Sequence, residues 1–441
     1  MSTAQTTAPL WQQLQASARV LAQIRQGQSA TPVLAAIAAE QRAGVQALSF
    51  AVLRDLGRAQ ALRKALAPRK PNEAVDALLC TALALLCPNF AAAYEAHTLV
   101  NQAVEAAKKD RLTRAQAPFI NACLRCFLRE RERLMAHTDT DPQALWNHPP
   151  WWISRLKQDW PSQWQRVLTA AQSPGPLTLR VNGRKTTQKA YLAMLGELGL
   201  RASAVGSFGV RLDKPVPVMQ LPHFAQGWVS VQDAAAQLAA PLLLSALAKP
   251  QGARVLDACA APGGKAAHLL EMADLDLLAL EVDAIRCERI HDTLERLGLN
   301  AQVLAADAEQ VALWWDGRLF DAVMLDAPCS ASGIVRRHPD IRWLRRASDI
   351  DALAALQQRL MHALWPLLRP GGVMLYCTCS VFKAEGEDRL KTFLVNNTDA
   401  TLLPSPGHLL PAHAEPDVSL GDNAHCDQDG FYYALLRKAV Q

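Results

Sequence analysis

The stretch Phe320-Asp321-Ala322-Val323-Met324-Leu325-Asp326-Ala327-Pro328-Cys329-Ser330 decides how the last third of this chain is read. Residues 320–325 are a short apolar run, with the length and composition of a strand buried on both faces in a parallel sheet. The run ends on a carboxylate and then a cysteine. Fifty residues after Cys329 the pattern returns, where the run at 373–376 leads into Cys377-Thr378-Cys379-Ser380. Open α/β sheets keep their chemistry at the carboxyl ends of their strands. Cys329 and Cys379 are therefore expected side by side at the mouth of one sheet. A third motif, Cys259-Ala260-Ala261-Pro262-Gly263-Gly264-Lys265, follows a strand expected at 254–256 and opens a helix. A ligand-cradling loop plus two thiols argues for covalent catalysis on an electrophilic substrate.

Working outward, strands are expected at 254–256, 277–282, 301–305, 320–325, 373–376 and 430–436, with helical stretches between most of them. Leu368-Arg369-Pro370-Gly371-Gly372 is expected to stop a helix before the strand at 373. Residues 236–441 thus read as a doubly wound, mainly parallel, Rossmann-like α/β domain. Residues 139–235 differ. The segment 139–150 is polar and Pro-bearing, like a linker. An aromatic helix follows (Trp151, Trp152, Trp160, Trp164) and Ser173-Pro174-Gly175-Pro176 breaks it. Strands at 177–181, 210–212 and 228–231 with a helix at 188–198 make a small α+β domain, RNA-recognition-like, although several other small folds fit equally. Residues 1–138 show apolar faces at helical spacing, such as Val45, Leu48, Ser49, Val52 and Leu53, and Phe119, Ile120, Cys123, Leu124 and Phe127. They read as an all-α domain of five to seven helices at the usual ~11–12 residues each.

The 441 residues leave room for two to four domains of roughly 100–200 residues. Half the residues are apolar and a fifth are charged, ordinary for a soluble globular protein. No charged segment leads into an apolar one at the start, so no signal peptide is expected. The longest apolar runs, 77–87 and 234–248, fall short of the ~20 residues of a membrane span, and Pro241 interrupts the second. Ten scattered cysteines in a large chain favour reduced thiols, hence a cytoplasmic protein, expected to be a monomer. The net charge of +5 is uneven: residues 1–140 hold 17 Lys and Arg against 10 Asp and Glu, the remainder 29 against 31. A basic front end suits a nucleic-acid partner, a solvated helical surface being the alternative.

Gly263 and Gly264 let a backbone approach a ligand closely. The loop is neither the G-x-G-x-x-G of dinucleotide enzymes nor the phosphate loop ending in Lys-Ser/Thr, which disfavours a bound pyrophosphate or triphosphate. Glu281, with Asp283 two residues on, ends the second strand, where a carboxylate accepts from a ribose diol. Asp307 follows the third strand, placed for an adenine amino group. Three acidic groups without a phosphate cradle describe a positively charged nucleoside cofactor, S-adenosylmethionine.

Asp-Ala-Pro-Cys-Ser at 326–330, Thr-Cys-Ser at 378–380 and Cys-Ala-Ala-Pro-Gly-Gly-Lys at 259–265 together resemble the RNA cytosine-5 methyltransferases. The stretch 332–343 (SGIVRRHPDIRW) is similar to the Sun/Fmu-type enzymes that methylate bacterial small-subunit (16S) ribosomal RNA. That family carries a NusB-like helical front domain, which residues 1–138 fit. The resemblance implies that Cys379 is the nucleophile, that Cys329 assists release of product, and that residues 259–265, Glu281, Asp307 and Asp326 meet the cofactor. Glu281 stands where the family more often has Asp.

Two thiols make chemical sense, because carbon 5 of cytosine is a poor nucleophile. A thiolate adding at carbon 6 makes the ring enamine-like. Asp326 would stabilise the adduct at the ring nitrogen, and Cys329, or a base it orders, fits removal of the carbon-5 proton. Thiols ordinarily titrate near ~8.5, so a nucleophilic one needs a cationic or helix-terminal neighbour, for which Lys265 is the candidate. Amino-group methylation is disfavoured, since its Asp/Asn-Pro-Pro-aromatic motif is not matched here. A zinc site from Cys259, Cys329, Cys377 and Cys379 lacks supporting spacing, so no metal is expected. Cys377 is expected to pack, as are Cys123 and Cys126. Arg336, Arg337, Arg342, Arg345 and Arg346 read as a basic cluster meeting RNA phosphates beside the site. The competing readings are a non-enzymatic RNA-binding or antitermination scaffold, and methylation of another RNA such as tRNA.

Overall fold

The computed structural model describes residues 8–87, 94–411 and 427–440. The chain forms two compact units, Met1–Ser173 with Val335–Ala347, and Pro174–Ile334 with Ser348–Gln441.

The first unit is helical. Eight α-helices lie among the described residues up to 138, more than expected because Ala30–Ala35 and Arg131–Thr138 are short. The apolar run at 77–87 belongs to the helix Glu73–Leu85, which is buried from Val75 to Leu85. A helix apolar all round must be surrounded by others, and Leu10–Arg25, Ala39–Arg54 and Leu56–Leu66 pack against it. Asn72 caps it by accepting from the Val75 N–H at 3.0 Å. The expected linker is not one. Residues 139–150 include the helix Pro142–Trp146, and Asn147 is buried, with its side-chain amide donating to the Leu53 carbonyl at 3.0 Å.

The second unit holds two sheets. The smaller comprises β1 (Thr178–Val181), β2 (Ala202–Val205), β3 (Gly209–Leu212) and β4 (Val229–Val231), antiparallel in the order β2-β3-β1-β4. The helix Gln188–Glu197 contributes Tyr191 and Leu195 to its core.

The larger comprises β5 (Arg254–Asp257), β6 (Asp276–Glu281), β7 (Gln302–Ala305), β8 (Phe320–Asp326), β9 (Leu368–Thr378), β10 (Ala400–Leu409) and β11 (Phe431–Lys438). Their order is β10-β11-β9-β8-β5-β6-β7. The five strands from β9 to β7 are parallel, β11 is antiparallel to β9, and β10 is antiparallel to β11. Side chains alternate between faces along a strand. Val373, Leu375 and Cys377 enter one core and Met374 and Tyr376 the other, so both faces are covered. Leu368-Arg369-Pro370-Gly371-Gly372 is not the helix stop expected. It lies within β9 as a bulge, where the register jumps from Leu368 opposite Phe320 to Val373 opposite Ala322, with Gly371 at φ 76°. Among the described residues no helix is long and apolar enough to cross a membrane.

Candidate active site

Parallel strands deliver their carboxyl ends to one edge of the sheet, and here successive strands deliver acids. β5 ends on Asp257, β6 on Glu281 and β8 on Asp326, and Asp307 stands two residues past β7. Asp257 is wholly buried, with the Cys259 backbone N–H as its donor and no side-chain partner among the described residues. Burial and the Asp326 charge push its carboxyl up to about 8, with Glu281 adding and Lys265 and the Cys259 backbone opposing. Glu281 is buried and accepts from the Asp283 N–H at 3.1 Å and from Arg286 at 3.2 Å. Asp283 itself caps the helix Ala284–Leu297 by accepting from the Ile285 N–H at 2.9 Å, which occupies it locally. Asp307 accepts from the Glu309 N–H at 3.0 Å and from the Gln310 side chain at 3.2 Å.

The Gly-rich loop lies between β5 and the helix Gly264–Met272. Ala260 donates to the Leu280 carbonyl of β6 at 2.8 Å, and Gly263 donates to Ala260 at 2.7 Å. Gly263 sits at φ 95° as the residue capping the helix, a conformation that favours glycine. Cys259 and Ala261 are half-buried, Pro262 is exposed, and Lys265 opens the helix, which aims its unpaired N–H groups at the loop.

The two cysteine loops converge as expected. Cys329 Sγ lies 3.4 Å from Cys379 Sγ, both half-buried. The parallel ladder continues past the strands, with the Ala327 N–H donating to the Cys377 carbonyl and the Gly333 N–H to the Cys379 carbonyl, each at 2.9 Å. A Cβ on Gly333 would stand 2.0 Å from the Gly430 carbonyl oxygen, so only glycine lets the backbone pass behind Cys379. Lys265 Nζ donates to Asp326 Oδ2 at 2.6 Å and lies over the Phe431 ring. Burial opposes the lysine charge, but Asp326 and the Cys377 and Cys379 thiols leave Lys265 raised above the ordinary lysine range. The Cys329 thiol is held well above the usual thiol range by its hydrogen bond with Cys379 and by burial. Cys377 is fully buried in the sheet core, its Sγ 3.5 Å from Asp326 Oδ1.

The arginine cluster is placed differently from the expectation. Arg336 is 1% exposed and Arg342 0%, both within the helical unit. Arg342 donates to the Ala171 carbonyl at 2.6 Å and to the Asn147 carbonyl at 3.3 Å. These two are packing groups, not phosphate contacts. Two further residues at the site were not singled out from sequence. Arg180 on β1 is buried, pairs bidentately with Glu271 at 2.9 and 2.7 Å, and donates to the Gly264 carbonyl of the loop at 2.7 Å. Its signal was an arginine inside an otherwise buried strand. Glu385 binds the serine that follows each cysteine. The repeated Cys-Ser pair was its signal.

Two family profiles match the chain. Residues 244–437 match 16S rRNA methyltransferase RsmB/F, and residues 148–219 match the ferredoxin-like domain of RsmF/B-like methyltransferases. The ribosomal RNA small subunit methyltransferase B of Vibrio cholerae serotype O1 is 41% identical over 399 residues, covering 89% of each chain. The protein of the same name from Pseudomonas putida is 42% identical over 440 residues, covering 96% of this chain and 98% of its own. Among solved structures, a methyltransferase homologue from Pyrococcus horikoshii matches with a TM-score of 0.56 at 28% identity, covering 68% of this chain and 98% of that one. With sequence similarity over nearly its whole length, the chain belongs to the RsmB/F family of 16S rRNA methyltransferases, which use S-adenosylmethionine.

Proposed function

We propose that the protein methylates carbon 5 of one cytosine in 16S ribosomal RNA, with Cys379 as the nucleophile and Cys329 assisting release. The observation that carries this reading is the pair of thiols 3.4 Å apart beside the Lys265–Asp326 ion pair. The residues fit the cofactor. The carboxylates of Glu281, Asp307 and Asp326 at the ends of successive strands suit a ligand bearing sulfonium and ammonium charge, and disfavour a pyrophosphate. Residues 259–265, Glu281, Asp307 and Asp326 would hold it, and when bound it supplies an electrophilic methyl group.

The chain's own groups do the rest. Cys379 Sγ forms a bond to carbon 6, which turns carbon 5 into a nucleophile. As the bond forms, Asp326 in its protonated form donates its proton to the ring nitrogen where negative charge develops, and the resulting carboxylate is stabilised by the Lys265 ammonium. After methylation, a base removes the carbon-5 proton, the electron pair restores the ring double bond, and the sulfur–carbon 6 bond breaks. Cys329, protonated and in contact with the departing sulfur, donates its hydrogen bond to the leaving thiolate. The nine described cysteines are all free thiols, as a reducing cytoplasm maintains. The enzyme acts as a monomer in this reading, which light scattering would check.

The test uses labelled 16S RNA, a denaturing gel and the variants Cys379→Ala and Cys329→Ala. Cys329→Ala is expected to accumulate a slow-migrating covalent adduct, and the double variant none. Normal turnover by Cys329→Ala, without an adduct, would remove it from the release step. Bisulfite sequencing of ribosomal and transfer RNA from a deletion strain identifies the base. Loss of 5-methylcytosine from tRNA alone would move the activity to another RNA.

A further inference from the structure

Glu385 is 0% exposed and lies in the turn Lys383–Glu385, six residues after Cys379. Four donors converge on its carboxylate. Oε1 accepts from the Ser330 N–H at 2.7 Å and from Gln357 Nε2 at 3.3 Å. Oε2 accepts from the Ser330 hydroxyl at 2.5 Å and the Ser380 hydroxyl at 2.6 Å. Its backbone carbonyl accepts from Tyr376 Oη at 2.7 Å and Thr378 Oγ1 at 3.2 Å. Gln357 also donates to the Pro328 carbonyl at 2.8 Å. The bonds therefore embrace the residues on either side of both cysteines.

We infer that Glu385 is a positioning residue that sets the distance between Cys329 and Cys379 by holding the serine that follows each of them. This deepens the two-cysteine reading and rests on it. The two loops leave different strands, β8 and β9, and no covalent link joins them near the thiols. Beside the backbone bonds Ala327–Cys377 and Gly333–Cys379, one carboxylate hydrogen-bonded to both loops ties them together at the serines next to the thiols. Four donors face its two oxygens, and its pKa is nonetheless raised, since burial outweighs them. Enclosed in this way it is no proton carrier for substrate, and its role runs through the cysteines. The role also accounts for the serine shared by both motifs, which the methylation chemistry leaves unused.

The experiment reads the thiol spacing directly, without RNA. Diamide takes two electrons and two protons from a pair of thiols and leaves a disulfide. Closure needs the sulfurs to reach ~2.05 Å at a restricted torsion, so its rate reports their placement. In the full-length protein, formation of the Cys329–Cys379 cross-link is followed by peptide mass spectrometry. Glu385→Gln should slow it at least tenfold and lower methyl transfer at least a hundredfold, leaving S-adenosylmethionine affinity within twofold. Ser330→Ala removes one hydroxyl donor and keeps the core filled. It should move both rates the same way by a smaller factor, and it carries the test if Glu385→Gln does not fold. An unchanged cross-linking rate in both variants overturns the positioning role. Slowed cross-linking with normal methyl transfer upholds the positioning and overturns the two-cysteine chemistry instead.

Discussion

Residues 326–330 and 335–347 belong to one continuous stretch of chain, and both are dense in polar groups. In the first, those groups meet other side chains: Asp326 meets Lys265, Cys329 meets Cys379, and Ser330 meets Glu385. In the second, Arg342, Trp343 and Asp340 meet the backbone. Arg342 donates to the Ala171 and Asn147 carbonyls, Trp343 Nε1 donates to the Leu53 carbonyl at 3.0 Å, and Asp340 Oδ2 accepts from the Ala30 N–H at 2.9 Å. Side chains that meet titratable side chains at a sheet edge can exchange protons and bonds. Side chains that satisfy the open ends of helices hold a fold together. The kind of partner separates chemistry from architecture where composition does not.

The largest effect should come from the first region. Cys379→Ala is expected to lower methyl transfer by more than a thousandfold, while S-adenosylmethionine affinity stays within twofold, because in the proposed mechanism the thiolate acts on the base alone. Turnover within tenfold of wild type would remove Cys379 from the nucleophile role. Next comes Arg342→Met, which should cost about 3 kcal/mol of stability by stripping charge-assisted hydrogen bonds from buried carbonyls. Burial, with Arg54 nearby, already lowers the Arg342 pKa to about 9, and Asp55 and Asp340 oppose that. A urea titration of the whole protein measures the loss. If Arg342 instead met RNA phosphates, the variant would keep its stability and flatten the salt dependence of RNA binding.

Much of the larger sheet was legible, because strands buried on both faces read as unbroken apolar runs. β10 was not. Its sequence carries Pro404, Pro406 and Gly407, which argue against a strand, yet β10 stands at the sheet's edge, where a missing N–H is tolerated. β2 is also an edge strand, and only four residues long. Cys329, Cys379, Lys265 and Asp326 were legible as a group because motif and strand end coincide. Glu385 was legible only in part: the repeated Cys-Ser pair signals a shared partner, but nothing in a loop glutamate marks it as that partner. The arginines misled because charge reads as exposure unless the carbonyls waiting for it are known. Those carbonyls lie 171 and 195 residues from Arg342 in the chain.

The acids at the carboxyl ends of β5, β6 and β8 allow a subtler comparison. Asp257 has its carboxyl up at about 8, against an ordinary unfolded value near ~3.9. Between those values the folded protein holds a proton that the unfolded chain has released. Stability from this group therefore falls as pH rises, and is lost through about pH 8. Asp326 and Glu281 face the group as like charges, and Lys265 as the opposing one. Asp257→Asn removes the dependence. Between about pH 6 and 7.5, without added cofactor, the variant should gain about 2 kcal/mol relative to wild type. A constant difference across that window would mean that Asp257 is already ionised in the folded protein.

The smallest expected effect tests the architectural side of the comparison at one bond. The helix Ala30–Ala35 begins at Ser29, whose side chain makes no capping hydrogen bond of its own. Asp340 caps it instead, from 310 residues away, and its Oδ2 also lies 3.4 Å from the Ser29 hydroxyl. Removing a capping oxygen typically costs about 1 kcal/mol, so Asp340→Ala should lower stability by about that much. Methyl transfer and S-adenosylmethionine affinity should stay within twofold, since Asp340 touches only the helical unit. Asp340→Asn, which keeps an acceptor oxygen, should restore most of the loss. If Asp340→Ala cut turnover tenfold at unchanged stability, residues 335–347 would be part of the chemistry after all, and the division between the two regions would fall.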